Sequence, residues 1–117
     1  MTETEFQKQV TDLAEILGWS WVHFRPAQTS KGWRTPVSGP LGAGWPDLVL
    51  VRVKDKRLIF AELKGEKGKV SADQAAVLAA LGSLAHPFPG TPLSVFTTVS
   101  AFLWRPADFD EIVKVLQ

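Results

Sequence analysis

The chain has 117 residues, 45% of them hydrophobic and 21% charged, with a formal net charge of +1 and no cysteine. That length supports one core and is short for two, so a single domain over residues 1–117 is expected. Disulfides, thiolate nucleophiles and cysteine-ligated zinc are excluded. No apolar run approaches the roughly 18 residues of a membrane span and the start is acidic and polar, unlike a secretory signal, so a cytoplasmic protein is expected.

The net charge conceals an uneven distribution. Residues 1–24 carry a net −3, residues 25–69 a net +6 and residues 70–117 a net −2. A positive middle between acidic flanks fits a localised anion-binding surface, and equally a solvated loop face.

In chain order, Thr2 to Glu5 opens a helix whose apolar stripe is Phe6, Val10, Leu13, Ala14 and Leu17, closed by Gly18. Trp19 to Arg25 reads as a strand, with Trp19, Trp21 and His23 on one face. Residues 26–46 are dense in glycine and proline and read as one long loop. Leu48 to Val53 is an apolar, β-branched run, a central strand, and Asp55-Lys56 turns it into a second strand, Leu58 to Leu63. After a basic loop, Ser71 caps a helix to about Leu84 with Ala75, Leu78 and Leu81 inward. Residues 86–92 form another loop. Strands are expected at Leu93 to Thr98 and Ala101 to Trp104, and Asp108 caps a last helix with Ile112, Val113 and Leu116 inward. The order α-β-β-β-α-β-α describes an α/β fold, helices packed on a mixed sheet.

The chemistry concentrates on that hairpin. Asp47 stands at the start of one strand, behind Gly44-Trp45-Pro46; Glu62 and Lys64 stand at the end of the next, 15 and 17 residues on. Strand alternation turns Glu62 and Lys64 to one face and Leu63 to the other, and an antiparallel hairpin brings Asp47 beside them. Two clustered carboxylates repel unless a cation neutralises them, and a hard divalent ion is the natural resident. The plainer reading is a salt bridge of Lys64 with an acid, Asp47 serving the turn.

Gly44-Trp45-Pro46-Asp47-Leu48, then Glu62-Leu63-Lys64, then Ser71-Ala72-Asp73-Gln74, preceded by a helix carrying Glu3 and Glu5, resembles the VRR-NUC (virus-type replication-repair nuclease) branch of the PD-(D/E)XK nucleases. The ending Trp104-Arg105-Pro106-Ala107-Asp108 is similar to small phage-borne members. The resemblance implies a restriction-endonuclease-like core, Mg²⁺ or Mn²⁺ held by Asp47, Glu62 and the carbonyl of Leu63, and a catalytic Lys64. It implies hydrolysis of DNA phosphodiester bonds, with branched, flap or Holliday-junction DNA as substrate in replication, repair or recombination, by a homodimer in a bacterial or phage-infected cell. A catalytically weak DNA-structure-binding module of the same fold, acting with a partner, is the alternative.

Several residues have two readings. The first-helix acid is Glu3 or Glu5; Thr2-x-x-Glu5 is a capping-box pattern that occupies Glu5, which favours Glu3 for the metal. Gln74 belongs to a second such pattern with Ser71, and the resemblance also turns it to the active site. His23 reads as a satisfied, half-buried histidine or as a phosphate contact. Trp33 and Trp45, near Lys31 and Arg34, suit stacking on unpaired bases or pin their own loop. Arg25, Lys31, Arg34, Lys67 and Lys69 are the expected phosphate contacts. Arg52, Lys54, Lys56 and Arg57 fall at the far end of the hairpin, where a solvated turn is expected. His86 reads as incidental.

Overall fold

Thr2 and Gly18 delimit the first helix, α1 (Glu3–Ile16). The Glu5 backbone N–H donates to Thr2 Oγ1 at 3.1 Å, and the Thr2 hydroxyl donates to the Glu5 carboxylate at 3.2 Å. Glu5 therefore closes the cap through the threonine hydroxyl, not through the backbone N–H that a full capping box would use. Gly18 adopts φ +86°, the left-handed value that lets the chain reverse into the sheet. The computed structural model describes residues 1–25, 27–85 and 98–117, with the backbone alone for Ala27, Arg34 and Ala85. The expected loop at 86–92, His86 and all but Thr98 of the expected strand Leu93 to Thr98 lie outside the described residues.

The main sheet runs in the order β1 (Ser20–His23), β4 (Leu48–Arg52), β5 (Arg57–Leu63) and β6 (Thr98–Trp104). The first three are antiparallel and β6 is parallel to β5, so the sheet is mixed, as a restriction-endonuclease-like core requires. β1 is shorter than the span Trp19 to Arg25, because among the described residues it is an edge strand with only Leu48 to Val51 to pair with. β6 already begins at Thr98, ahead of the expected Ala101.

α1 and α3 (Phe109–Leu116) cover one face, where Phe6, Val10, Ala14, Leu48, Leu50, Ile59, Leu63, Trp104, Ile112 and Leu116 form the main core. α2 (Ala72–Gly82) covers part of the other, packing Val77 and Leu81 on Phe60. Ala75, expected inward, is exposed, and the buried positions are Val77 and Leu81. With Gln74 and Leu78 they make a 3.6-residue stripe that the larger side chains win. α2 ends at Gly82, and a 3₁₀ turn over Ser83–Ala85 replaces its expected last turn. Asp108 caps the turn at Pro106–Asp108 by accepting from the Arg105 N–H at 2.8 Å, and makes no side-chain cap to α3.

Two further departures concern segments read as solvated or irregular. Residues 27–34 are a small hairpin, β2 (Ala27–Thr29) with β3 (Gly32–Arg34), turned by Gly32 at φ +98°. Arg52 is only 5% exposed. Its guanidinium donates to the carbonyls of Leu17, Leu116 and Gln117 and pairs with Asp55 at 2.9 Å. It lies over the Trp19 ring beside Arg57, which donates to the Val115 carbonyl. Two cations thus close the carbonyl ends of α1 and α3, where the helix dipoles favour positive charge. Among the described residues no helix is long and apolar enough to cross a membrane.

Candidate active site

The β4–β5 register pairs Leu48 with Ala61, so one step further Asp47 faces Glu62. The two are tied through the backbone: the Asp47 N–H donates to Glu62 Oε2 at 3.2 Å, and the Leu63 N–H donates to Asp47 Oδ1 at 3.0 Å. Leu63 itself is fully buried in the main core, as alternation requires. Lys64 stands on the Glu62 face with Nζ 3.5 Å from Glu62 Oε1, and its backbone N–H is held by the Trp104 carbonyl at 3.0 Å.

The approach to Asp47 is fixed by packing. A Cβ on Gly44 would stand 2.2 Å from the backbone carbonyl of Asp73, so only glycine lets this loop rest on the start of α2. Trp45 meets Phe60 and Phe24 edge-on, with centroids at 5.4 and 6.5 Å, and Pro46 is buried. The Phe24 N–H donates to the Asp47 carbonyl at 2.7 Å, which joins the end of β1 to the same point.

Glu62 is the electrostatic centre. It is 5% exposed, and burial first, then the Asp47 charge, pushes its carboxyl up from 4.5 to about 7, against the opposing pull of Lys64. Gln74 is committed twice: its Oε1 accepts from the Ser71 N–H in a full capping box, and its Nε2 donates to Glu62 Oε1 at 3.0 Å. Capping and site-facing were alternatives in the sequence; the first turn of α2 allows both.

His23 departs from the reading of a satisfied histidine. Its side chain is 7% exposed, its Nδ1 accepts from Arg25 Nε at 3.1 Å, and its Nε2 lies 3.6 Å from Asp47 Oδ2 with no hydrogen-bond partner among the described residues. The Arg25 contact leaves the ring proton on Nε2, facing the carboxylate.

These groups line one cavity of about 530 Å³, together with Glu3, Trp33 and Trp45. Glu3 lines it and Glu5 does not. Among the described residues no three Asp, Glu or His side chains are already gathered as a metal cage; Asp47 and Glu62 are the converged pair. The expected phosphate contacts separate. Arg25 spends its Nε on His23, Lys31 is exposed in the β2–β3 turn, and Lys67 and Lys69 are exposed beyond β5. The Arg34 side chain lies outside the description. Trp33 is 64% exposed, whereas Trp45 is half-buried between Phe24 and Phe60. Phe24 and Val37, which also line the cavity, were not singled out in the sequence; the placement of Phe24 depends on the β1–β4 pairing, and no local pattern announces it.

A family model described as the VRR-NUC domain matches residues 25–90, just over half of the chain. The match contains Asp47, Glu62, Lys64 and Gln74 and leaves out Glu3 and His23. No curated protein and no solved structure gives a significant match.

Proposed function

The chain belongs to the VRR-NUC domain family, nucleases of the PD-(D/E)XK type, and from that premise we propose that it is a divalent-metal-dependent DNA endonuclease selective for branched DNA. The observation that carries this reading is the convergence of Asp47, Glu62 and Lys64, with the Glu62 carboxyl raised to about 7 by its own burial and its neighbour's charge. A pair of carboxylates that resist simultaneous ionisation is suited to a cation, and an all-oxygen set suits Mg²⁺ or Mn²⁺. Asp47, Glu62 and the Leu63 carbonyl would hold it, with Glu3 contributing from across the cavity. Such an ion supplies Lewis acidity, which offsets charge on the phosphoryl oxygens and lowers the pKa of water.

The protein's own groups do the positioning. Gln74 fixes one Glu62 oxygen and the Asp47 N–H fixes the other, so the carboxylate is oriented before substrate arrives. Lys64 orients the attacking water and meets the negative charge that grows on the scissile phosphate. Lys31, Lys67 and Lys69 hold neighbouring phosphates, and Trp33 offers a stacking surface for an unpaired base. The weakly catalytic binding module has less support, since Asp47, Glu62 and Lys64 are all present and adjacent. One site cuts one strand, so we also propose a C₂ homodimer for junction cleavage.

The test is a panel of duplex, flap, fork and four-way-junction DNAs with Mg²⁺ and Mn²⁺, beside a Glu62→Ala control. Cleavage of branched DNA in preference to duplex, abolished by the variant, supports the reading. Equal cleavage by both proteins refutes it.

A further inference from the structure

Beside the active site lies a second cavity that the hydrolytic groups do not use. It measures about 410 Å³ and is lined by Phe24, Val37, Ser38, Pro40, Leu41 and Trp45 with neighbouring glycines. Phe24, Val37, Ser38 and Trp45 also line the catalytic cavity, so the two spaces adjoin. Its link to the chemistry is short. Trp45 is two residues from Asp47, and the Phe24 N–H holds the Asp47 carbonyl at 2.7 Å.

We infer that this cavity receives the base of an unpaired nucleotide next to the scissile phosphate. This rests on the nuclease reading and adds to it the feature that selects the substrate. The Phe24 and Trp45 rings stand at 88° with centroids 6.5 Å apart, so they form a corner. A flat aromatic guest lies against one ring and meets the edge of the other, both favourable geometries. The walls are mostly apolar, with the Ser38 hydroxyl, the Trp45 indole N–H and the backbone of the 38–42 loop as polar groups, which suits a planar base with a polar edge better than a charged or aliphatic guest. The phosphate of the same nucleotide would remain on the side of Asp47, Glu62 and Lys64, matching the polarity of each of the two adjoining spaces. A paired base cannot enter without leaving its stack, so duplex is disfavoured and a frayed, flapped or single-stranded nucleotide is favoured.

The test moves one abasic site, base removed and phosphate kept, through the unpaired arm of a forked oligonucleotide. Cleavage with Mg²⁺ and equilibrium binding without metal are both read, for the wild type, Phe24→Ala and Leu41→Ala. Leu41 is 47% exposed, so its truncation leaves the core intact if Phe24→Ala perturbs folding. For the wild type, one position beside the cut should lower kcat/KM and affinity about tenfold, while the others change little. In the variants that position-specific penalty should shrink to the level of the other positions. A flat abasic profile, or a penalty undiminished in both variants, overturns the cavity's role while leaving cleavage itself standing. No cleavage at all, with the position-specific binding penalty intact, refutes the nuclease reading and supports the base site.

Discussion

The backbone N–H of Asp47 donates to the carboxylate of Glu62 at 3.2 Å, across the open end of the β4–β5 ladder. The two acidic residues of the nuclease signature are thus joined by the strand pairing itself, 15 residues apart in sequence and adjacent by register.

Glu62 should make metal-free stability fall as pH rises. A carboxyl whose folded pKa is raised favours the fold while protonated, so its contribution is complete below the unfolded value of 4.5 and is lost as pH rises through about 7. The full effect is of order 3 kcal/mol. In chelator, urea midpoints of the wild type should decline between pH 4.5 and 7, and those of Glu62→Gln should stay flat across this window. Parallel curves for the two proteins would show that Glu62 ionises as freely as an exposed carboxylate.

Ser71 and Gln74 share one cap, but only Gln74 reaches the site. Ser71→Ala and Gln74→Ala should each cost about 1 kcal/mol of stability through the lost cap. Only Gln74→Ala should also lower kcat, because it alone frees the Glu62 carboxylate. Steady-state rates measured well below both melting transitions separate the two effects.

Gly44 has no room for a side chain against Asp73, whereas a Cβ at Gly65 meets nothing within 4 Å. Gly44→Ala must push the loop off α2, at a cost of about 2 kcal/mol or more. That movement separates Asp47 from Gln74 and Glu62, so cleavage falls beyond the loss of stability. Gly65→Ala should remain within about 0.5 kcal/mol of wild type. Thermal melts and initial rates on both variants check this pair.

Arg52 is a structural cation at the other end of the hairpin. Arg52→Ala removes the side-chain donor of the Leu17 and Gln117 carbonyls, while Leu116 keeps the indole N–H of Trp19, and it should cost about 3 kcal/mol. Arg52→Lys should recover less than half, since one ammonium cannot span three carbonyls and stack on Trp19. Below the melting temperature both variants should cleave DNA like wild type, because the affected groups do not line the site. Denaturation midpoints and rates together test the assignment.

The parts of the fold that follow from local pattern were legible in the sequence. The Phe6, Val10 and Ala14 stripe, the hairpin and the Asp47–Glu62 juxtaposition depend only on helical or strand periodicity and one register. What escaped depends on partners distant in sequence. Arg52 looks like a turn residue until the ends of α1 and α3 arrive at it. His23 becomes an unsatisfied donor only when β1 is laid beside β4. The β2–β3 hairpin consists of two three-residue strands that, among the described residues, pair only with each other, too short for alternation to show among prolines and glycines. Ala75 and Val77 exchange roles because small α2 residues give little amphipathic contrast, and the bulk of Val77 decides which stripe is buried.

The most direct test of a metal-dependent site at Asp47 and Glu62 is cleavage of a forked oligonucleotide with Mg²⁺ or Mn²⁺ by the wild type and by Glu62→Gln, which keeps the shape of the side chain and removes its charge. The wild type should nick the fork in a reaction that chelator abolishes, and Glu62→Gln should lose about 10³-fold or more of that rate while its metal-free stability at neutral pH is equal or higher. Equal cleavage by the two proteins, or cleavage that persists in chelator, would show that the chemistry is not metal-dependent hydrolysis at Glu62.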